Sequence, residues 1–280
     1  VAAAGHPLLS AVVALPASGG LVFTGRLSAS SHPWIADHEV LGSVLLPGTG
    51  FLELAVRAGD EVGCGVVEEL TLEAPLLLPP GEARQIQVAV DAEAGDGRRT
   101  VRIFSRAEDG AWTRHAEGTL LPGVREPAGG LAEWPPAGAS EVDIDGAYTD
   151  LVAAGFAYGP AFRGLRAAWQ RGDEIFAEVA LPEEALADAR RFGLHPALLD
   201  AAMHAAIIVG AREGGEKETV LPFSWNQVCL HATGATALRV RLTRPTPASL
   251  VLDVADETGA PVLSVGSMAG RGVSAGQLAG

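Results

Sequence analysis

The stretch Leu194-His195-Pro196-Ala197-Leu198-Leu199-Asp200-Ala201-Ala202-Met203-His204 sets one acid in a run of apolar residues. Its pattern predicts a buried helix from Pro196 to about Val209. Pro196 suits the first turn, where its missing N–H would have had no partner. Asp200 is the only acid from Phe192 to Arg212. A carboxylate on such a helix is costly to bury unless paired or protonated, so its pKa is expected to be raised, as suits a proton donor. His204 falls one turn later on the same face, within reach of Asp200. An ordinary polar pair on a helix is the rival reading, and the apolar surroundings weigh against it.

Around this helix the period changes to that of strands, expected at 166–171, 174–181, 219–228, 237–242, 250–254 and 262–270, with a short helix at 144–154. Upstream the same order occurs. A strand at 21–28 precedes a helix in which Phe51, Leu54, Ala55 and Ala58 recur at helical spacing, with Thr49 available as its N-cap. Strands follow at 66–78, 85–92, 100–106 and 112–120. Between Pro122 and Ser140 lie Pro122, Pro127, Pro135 and Pro136 among several glycines, the composition of a linker. The expected organisation is 1–122, a linker at 123–141, and 142–280. Each half is read as α+β, a sheet around one central helix.

The first half contributes Ser31-His32-Pro33-Trp34-Ile35-Ala36-Asp37-His38-Glu39-Val40-Leu41-Gly42, followed by Pro47. A histidine entering a buried helix can be held neutral and serve as a base near pH 7. Alone, His38 is more often a surface or capping residue, Gly42 a turn glycine and Pro47 a helix starter. A third segment, Gly155-Phe156-Ala157-Tyr158-Gly159-Pro160-Ala161-Phe162, sets a tyrosine on a tight loop, where its phenol can donate to a hydroxyl or oxyanion, or simply face water. Leu221-Pro222-Phe223-Ser224-Trp225 reads as core by itself. His32, His115, His195 and His231 are read as loop, surface or supporting residues, His195 bracing the Asp200 helix from its start.

Taken together these segments resemble the dehydratase domains of modular polyketide synthases over nearly the whole chain. His38, Gly42 and Pro47 match a His-x-x-x-Gly-x-x-x-x-Pro signature. Tyr158, Gly159, Pro160 and Phe162 match Tyr-Gly-Pro-x-Phe, and Asp200 with His204 matches Asp-x-x-x-Gln/His. The leading His6-Pro7-Leu8-Leu9 and the Leu-Pro-Phe-Ser-Trp run are typical too. One signature is weak; several in order are strong. The resemblance implies a double hotdog fold, two helix-wrapping sheets side by side, with His38 and Asp200 meeting between them. It implies dehydration of a 3-hydroxyacyl thioester on an acyl carrier protein to an α,β-unsaturated, trans product. His38 would be the base, Asp200 the acid, Tyr158 and His204 the orienting groups, and the Gly42 N–H a donor to the thioester carbonyl. The domain would need no cofactor of its own, the substrate riding on the carrier's phosphopantetheine. Neighbouring synthase domains and a second copy of the chain are the other implied partners. A double-bond-shifting isomerase, a pyran-forming cyclase and an inactive scaffold are alternatives on the same fold.

Bulk properties narrow the field. The 280 residues carry a formal net charge of −14, with 48% hydrophobic and 19% charged residues. A globular chain is expected, and nucleic acid is disfavoured because its phosphates would be repelled. An acidic carrier would be repelled too, unless a local basic patch received it. Two cysteines, Cys64 and Cys229, without metal-type spacing fit a reducing, cytoplasmic setting. No apolar run reaches membrane length, and the start reads as part of a longer chain. No Gly-Lys-Ser/Thr phosphate loop occurs. A metal site from His38, His204 and Asp200 is the remaining rival, and the expectation is no metal.

Overall fold

Alternation of small or apolar residues with polar ones builds most of the strands. In Ala83–Val90, for example, Ile86, Val88 and Val90 are buried while Gln85 and Gln87 are not. The structure, a computed structural model, describes residues 1–127, 129, 131–212, 219–246 and 248–278. The first half contains β1 (Ala2–His6), β2 (Leu9–Leu15), β3 (Gly20–Ser28), β4 (His38–Val40), β5 (Ser43–Val44) and helix α1 (Gly48–Glu61). Then come β6 (Val66–Leu72), β7 (Ala83–Val90), β8 (Arg99–Arg106) and β9 (Thr113–Leu121). The second half contains β10 (Ser140–Glu141), α2 (Ala147–Ala153), β11 (Phe156–Tyr158), β12 (Leu165–Arg171) and β13 (Glu174–Ala180). It continues through α3 (Leu186–Ala189), α4 (Pro196–Arg212), β14 (Thr219–Leu230), β15 (Ala237–Thr246), β16 (Ser249–Ala255), β17 (Pro261–Val273) and α5 (Ala275–Leu278).

Among the described residues the two sheets join edge to edge into one antiparallel sheet of 14 strands, in the order β1-β2-β3-β7-β8-β9-β6-β14-β17-β16-β15-β13-β12-β10. The seam is β6 against β14, where Trp225 faces Leu70 and Val228 faces Val67. This is the double hotdog: α1 packs on the strands of the first half, α4 on those of the second, and the two helices touch. Nearly every α4 side chain up to Val209 is buried, which explains a helix apolar almost all round. Across the halves runs a second, three-stranded sheet, β11-β4-β5. Among the described residues no helix is long and apolar enough to cross a membrane.

Some expectations shift. Thr49 lies inside α1 and donates to the Pro196 carbonyl at 2.9 Å, and Pro47 holds the N-cap position without a side-chain cap. The strand expected at 66–78 stops at Leu72, and Leu76 and Leu78 then fill the core from irregular chain. β1 and β2 escaped the reading because Ala-rich AAAGH and near-continuously apolar LSAVVAL both alternate weakly. Within the 122–140 stretch, Gly123 bridges Cys64 of the first half, and residues 131–134 lie against the second half. Leu131 is buried, and the Trp134 indole donates to Glu178 at 2.6 Å and packs edge-on to Trp169 and Phe176.

Candidate active site

Two local structures from different halves bring the candidate side chains together. After the 3₁₀ turn Pro33–Asp37, β4 opens at His38 and turns back through Leu41 and Gly42, both with positive φ (49° and 79°). A two-residue hairpin of this twist requires left-handed backbone at both positions, which Gly42 supplies freely and Leu41 at some cost. Gly42 lies exposed at the hairpin tip. β11 pairs antiparallel with β4 and sets Tyr158 directly opposite His38. The turn after it is fastened from the first half. The Asp37 carboxylate accepts the Ala161 N–H at 2.8 Å, and the Asp37 carbonyl accepts the Gly159 N–H at 2.8 Å. A side chain at Gly159 would collide with the Asp37 carboxylate, so glycine is there for close approach.

The third contribution is α4. His195 caps it, its Nδ1 accepting the Ala197 N–H at 3.2 Å, and Pro196 opens its first turn. Glu53 on α1 anchors the approach to this helix: its carboxylate accepts the Gly193 and Leu194 N–H groups at 2.7 and 3.0 Å and pairs with His6 at 3.0 Å. Asp37 and Glu53 are invisible to a reading by local spacing, because the residues they hold lie more than a hundred positions away.

His38, Tyr158, Asp200 and His204 are all buried. His38 Nδ1–H donates to the Leu45 carbonyl at 3.0 Å; a carbonyl only accepts, so Nε2 keeps its lone pair. Burial pushes the His38 pKa down, and the neighbouring Asp200 charge only partly opposes this. His204 Nε2–H donates to Asp200 Oδ2 at 3.1 Å. The Tyr158 ring stacks on His204 with centroids 4.5 Å apart, and its phenol, raised well above its ordinary value by burial and then by Asp200, stays protonated.

Asp200 departs from expectation. Burial pushes its pKa up, but the His204 hydrogen bond, the nearby His38 and the Tyr158 phenol outweigh burial and leave it below the ordinary carboxylate value. The expectation of a raised pKa weighed the apolar neighbours in sequence and not the donors that folding supplies. The resting pair is therefore a bare imidazole beside a carboxylate, a base and a hydrogen-bonded acid group. Pro47 and Pro160 shape the backbone on either side, at the start of α1 and in the 3₁₀ turn Pro160–Phe162.

Comparisons with known proteins place the chain in a family. The family described as "Polyketide synthase dehydratase domain" matches residues 6–106, and that described as "Polyketide synthase dehydratase N-terminal domain" matches residues 126–280. Mycoketide-CoA synthase of Mycobacterium tuberculosis is 56% identical over 274 residues, covering 98% of this chain and 6% of that protein. The chain thus spans a small part of the curated relatives it matches. The crystal structure of the dehydratase domain from the terminal module of the rifamycin polyketide synthase has a TM-score of 0.91 at 52% identity, covering 97% of this chain and 98% of that one. Two inactive mutants of the CurK dehydratase, one with a histidine changed to phenylalanine and one with an aspartate changed to asparagine, superpose with TM-scores of 0.87 and 0.83. Their identities are 26% and 25%; the first covers 97% of this chain and 99% of the other, the second 98% and 99%. The chain belongs to the polyketide synthase dehydratase domains.

Proposed function

We propose that this domain removes water from a 3-hydroxyacyl thioester carried on the phosphopantetheine arm of an acyl carrier protein, leaving the α,β-unsaturated thioester. The observation that carries the reading is the buried His38 with its bare Nε2 beside Asp200, one group from each half. His38 Nε2 takes the α-proton. Asp200, in its protonated form, passes a proton to the β-hydroxyl, which leaves as water with the C–O electron pair. The proton gained by His38 then restores the acid, so the substrate loses one hydrogen and one hydroxyl and the enzyme is unchanged. His204 and Tyr158 orient Asp200, and the Gly42 N–H at the hairpin tip is the candidate donor to the thioester carbonyl. Burial of all four side chains keeps bulk water from competing for these bonds. In this scheme the domain needs no cofactor of its own. The inactive CurK mutants support it in kind, since each loses one histidine or one aspartate. We further propose that the chain functions as 1–122 and 142–280 joined by 123–141, beside other synthase domains and as a homodimer.

The test is turnover of a 3-hydroxyacyl thioester by His38→Ala and Asp200→Asn. General acid–base groups contribute about 10²–10⁴-fold each, so both variants are expected to lose activity on that scale while remaining folded. Near wild-type turnover by either one overturns its assignment.

A further inference from the structure

Behind His204, on the side away from Asp200, stands Tyr148 on α2. Its hydroxyl is bound on three sides. The Leu165 backbone N–H reaches it at 2.9 Å, and His204 Nδ1 and the Phe162 carbonyl each lie 3.4 Å away. The ring meets the His204 imidazole edge-on, with centroids 5.8 Å apart. Burial pushes its phenol up to about 12, so it holds its proton.

These contacts have a direction. A backbone N–H can only donate, so Tyr148 Oη accepts from Leu165 and has its own hydrogen to give. That hydrogen has two acceptors at the same 3.4 Å, the Phe162 carbonyl and His204 Nδ1; given to His204 Nδ1, it leaves the imidazole proton on Nε2, where it faces Asp200 Oδ2. We propose that Tyr148 is a positioning residue that fixes the Nε2–H tautomer of His204, and that the relay from Leu165 N–H through Tyr148 and His204 occupies Asp200 Oδ2, so that the proton passed to the substrate's hydroxyl is carried on Oδ1, with the Tyr158 phenol as the carboxylate's further donor. The inference rests on Asp200 being the proton donor. With Oδ2 always accepting, the transferable proton has one place to sit. Without Tyr148, the Nδ1–H tautomer loses its competitor, and the Asp200 proton can settle on Oδ2 facing a bare Nε2.

The experiment is a double-mutant cycle with Tyr148→Phe and His204→Leu, following kcat and KM separately. Tyr148→Phe is expected to lower kcat about fivefold, the worth of one ordinary hydrogen bond, with KM unchanged. In the His204→Leu background the same change is expected to cost less than about twofold, because the residue it acts through is gone. An equal loss in both backgrounds would mean that Tyr148 merely supports Leu165, and an unchanged kcat would mean no role; either overturns the relay. The wild-type protein gives a second test that needs no stable Tyr148 variant. With 15N-labelled histidine, the His204 resonances, assigned by their loss in His204→Leu, are expected to show a protonated Nε2 and a bare Nδ1. A protonated Nδ1 in the resting enzyme contradicts the proposal. Asp200→Asn in the same assay separates the two readings. If it turns over, the donor assignment fails and this inference with it. If it is inactive while Tyr148→Phe is unmoved, only the relay fails.

Discussion

At His38 the decisive feature is which nitrogen is occupied: Nδ1 is tied to Leu45, so Nε2 is free to accept a proton. Asp200, held ionised at rest by the groups around it, needs a proton before it can act as the acid. The working form therefore carries one proton on Asp200 and none on His38, and the pair titrates together. Both groups lie below their ordinary values, so this form is lost as pH rises. We expect kcat/KM to fall about tenfold per pH unit on the alkaline side. A flat alkaline profile would mean that Asp200 stays ionised and that His38 alone carries the α-proton across to the hydroxyl. At this scale the sequence was informative where neighbours are close in number: Asp200 and His204, four apart on a helix, were readable as a pair. The ionisation of Asp200 was not, because Tyr158, which donates to it, and His38, which acts on it only through charge, arrive from other elements.

Between residues and molecule stand β4 and β11, strands of three residues each that face His38 with Tyr158. Strands this short have too few ladder bonds to hold themselves, and the Asp37 carboxylate on the Ala161 N–H supplies an added tie. A hydrogen bond to a charged group is worth about 2 kcal/mol, so Asp37→Ala is expected to destabilise the fold by about that much. It should also lower kcat by loosening Tyr158 against His38. Thermal melting and turnover of the variant check this together, and a full kcat with a lowered melting point would confine Asp37 to folding. Neither strand was foreseen, since three residues show no period. The long helices were, because apolar spacing over 14 and 17 residues leaves little choice.

For the whole molecule, the join at β6 and β14, the paired strands β4 and β11, and the Glu53 anchor on α1 make the halves one body. The internal duplication was readable from element order, but the edge-to-edge seam was not, because strand pairing between distant segments leaves no local trace. The core also buries titratable groups. His38 and His115 are pushed down by burial, and His195 is pushed down to about 4. Above the unfolded value of 6.5 these histidines are neutral in both states and stability is unaffected. As pH falls below 6.5 the unfolded chain takes up protons that the folded chain refuses, so stability drops until the folded values are reached. For His195 the interval from 6.5 to about 4 corresponds to about 3 kcal/mol. Asp200 adds its share lower down, below 3.8, where the unfolded carboxylate protonates first. Urea midpoints are expected to fall steadily from pH 7 to pH 4, and His195→Asn, which can still cap α4, should flatten that fall. An unchanged slope in His195→Asn would place the acid sensitivity elsewhere.

The measurement closest to the central claim is intact mass spectrometry of a 3-hydroxyacyl carrier protein incubated with the wild-type domain and, in parallel, with His38→Ala. The account predicts loss of one water from the carrier-bound chain with the wild type and none with the variant. An unaltered carrier with the wild type, or the same loss with both, would contradict it.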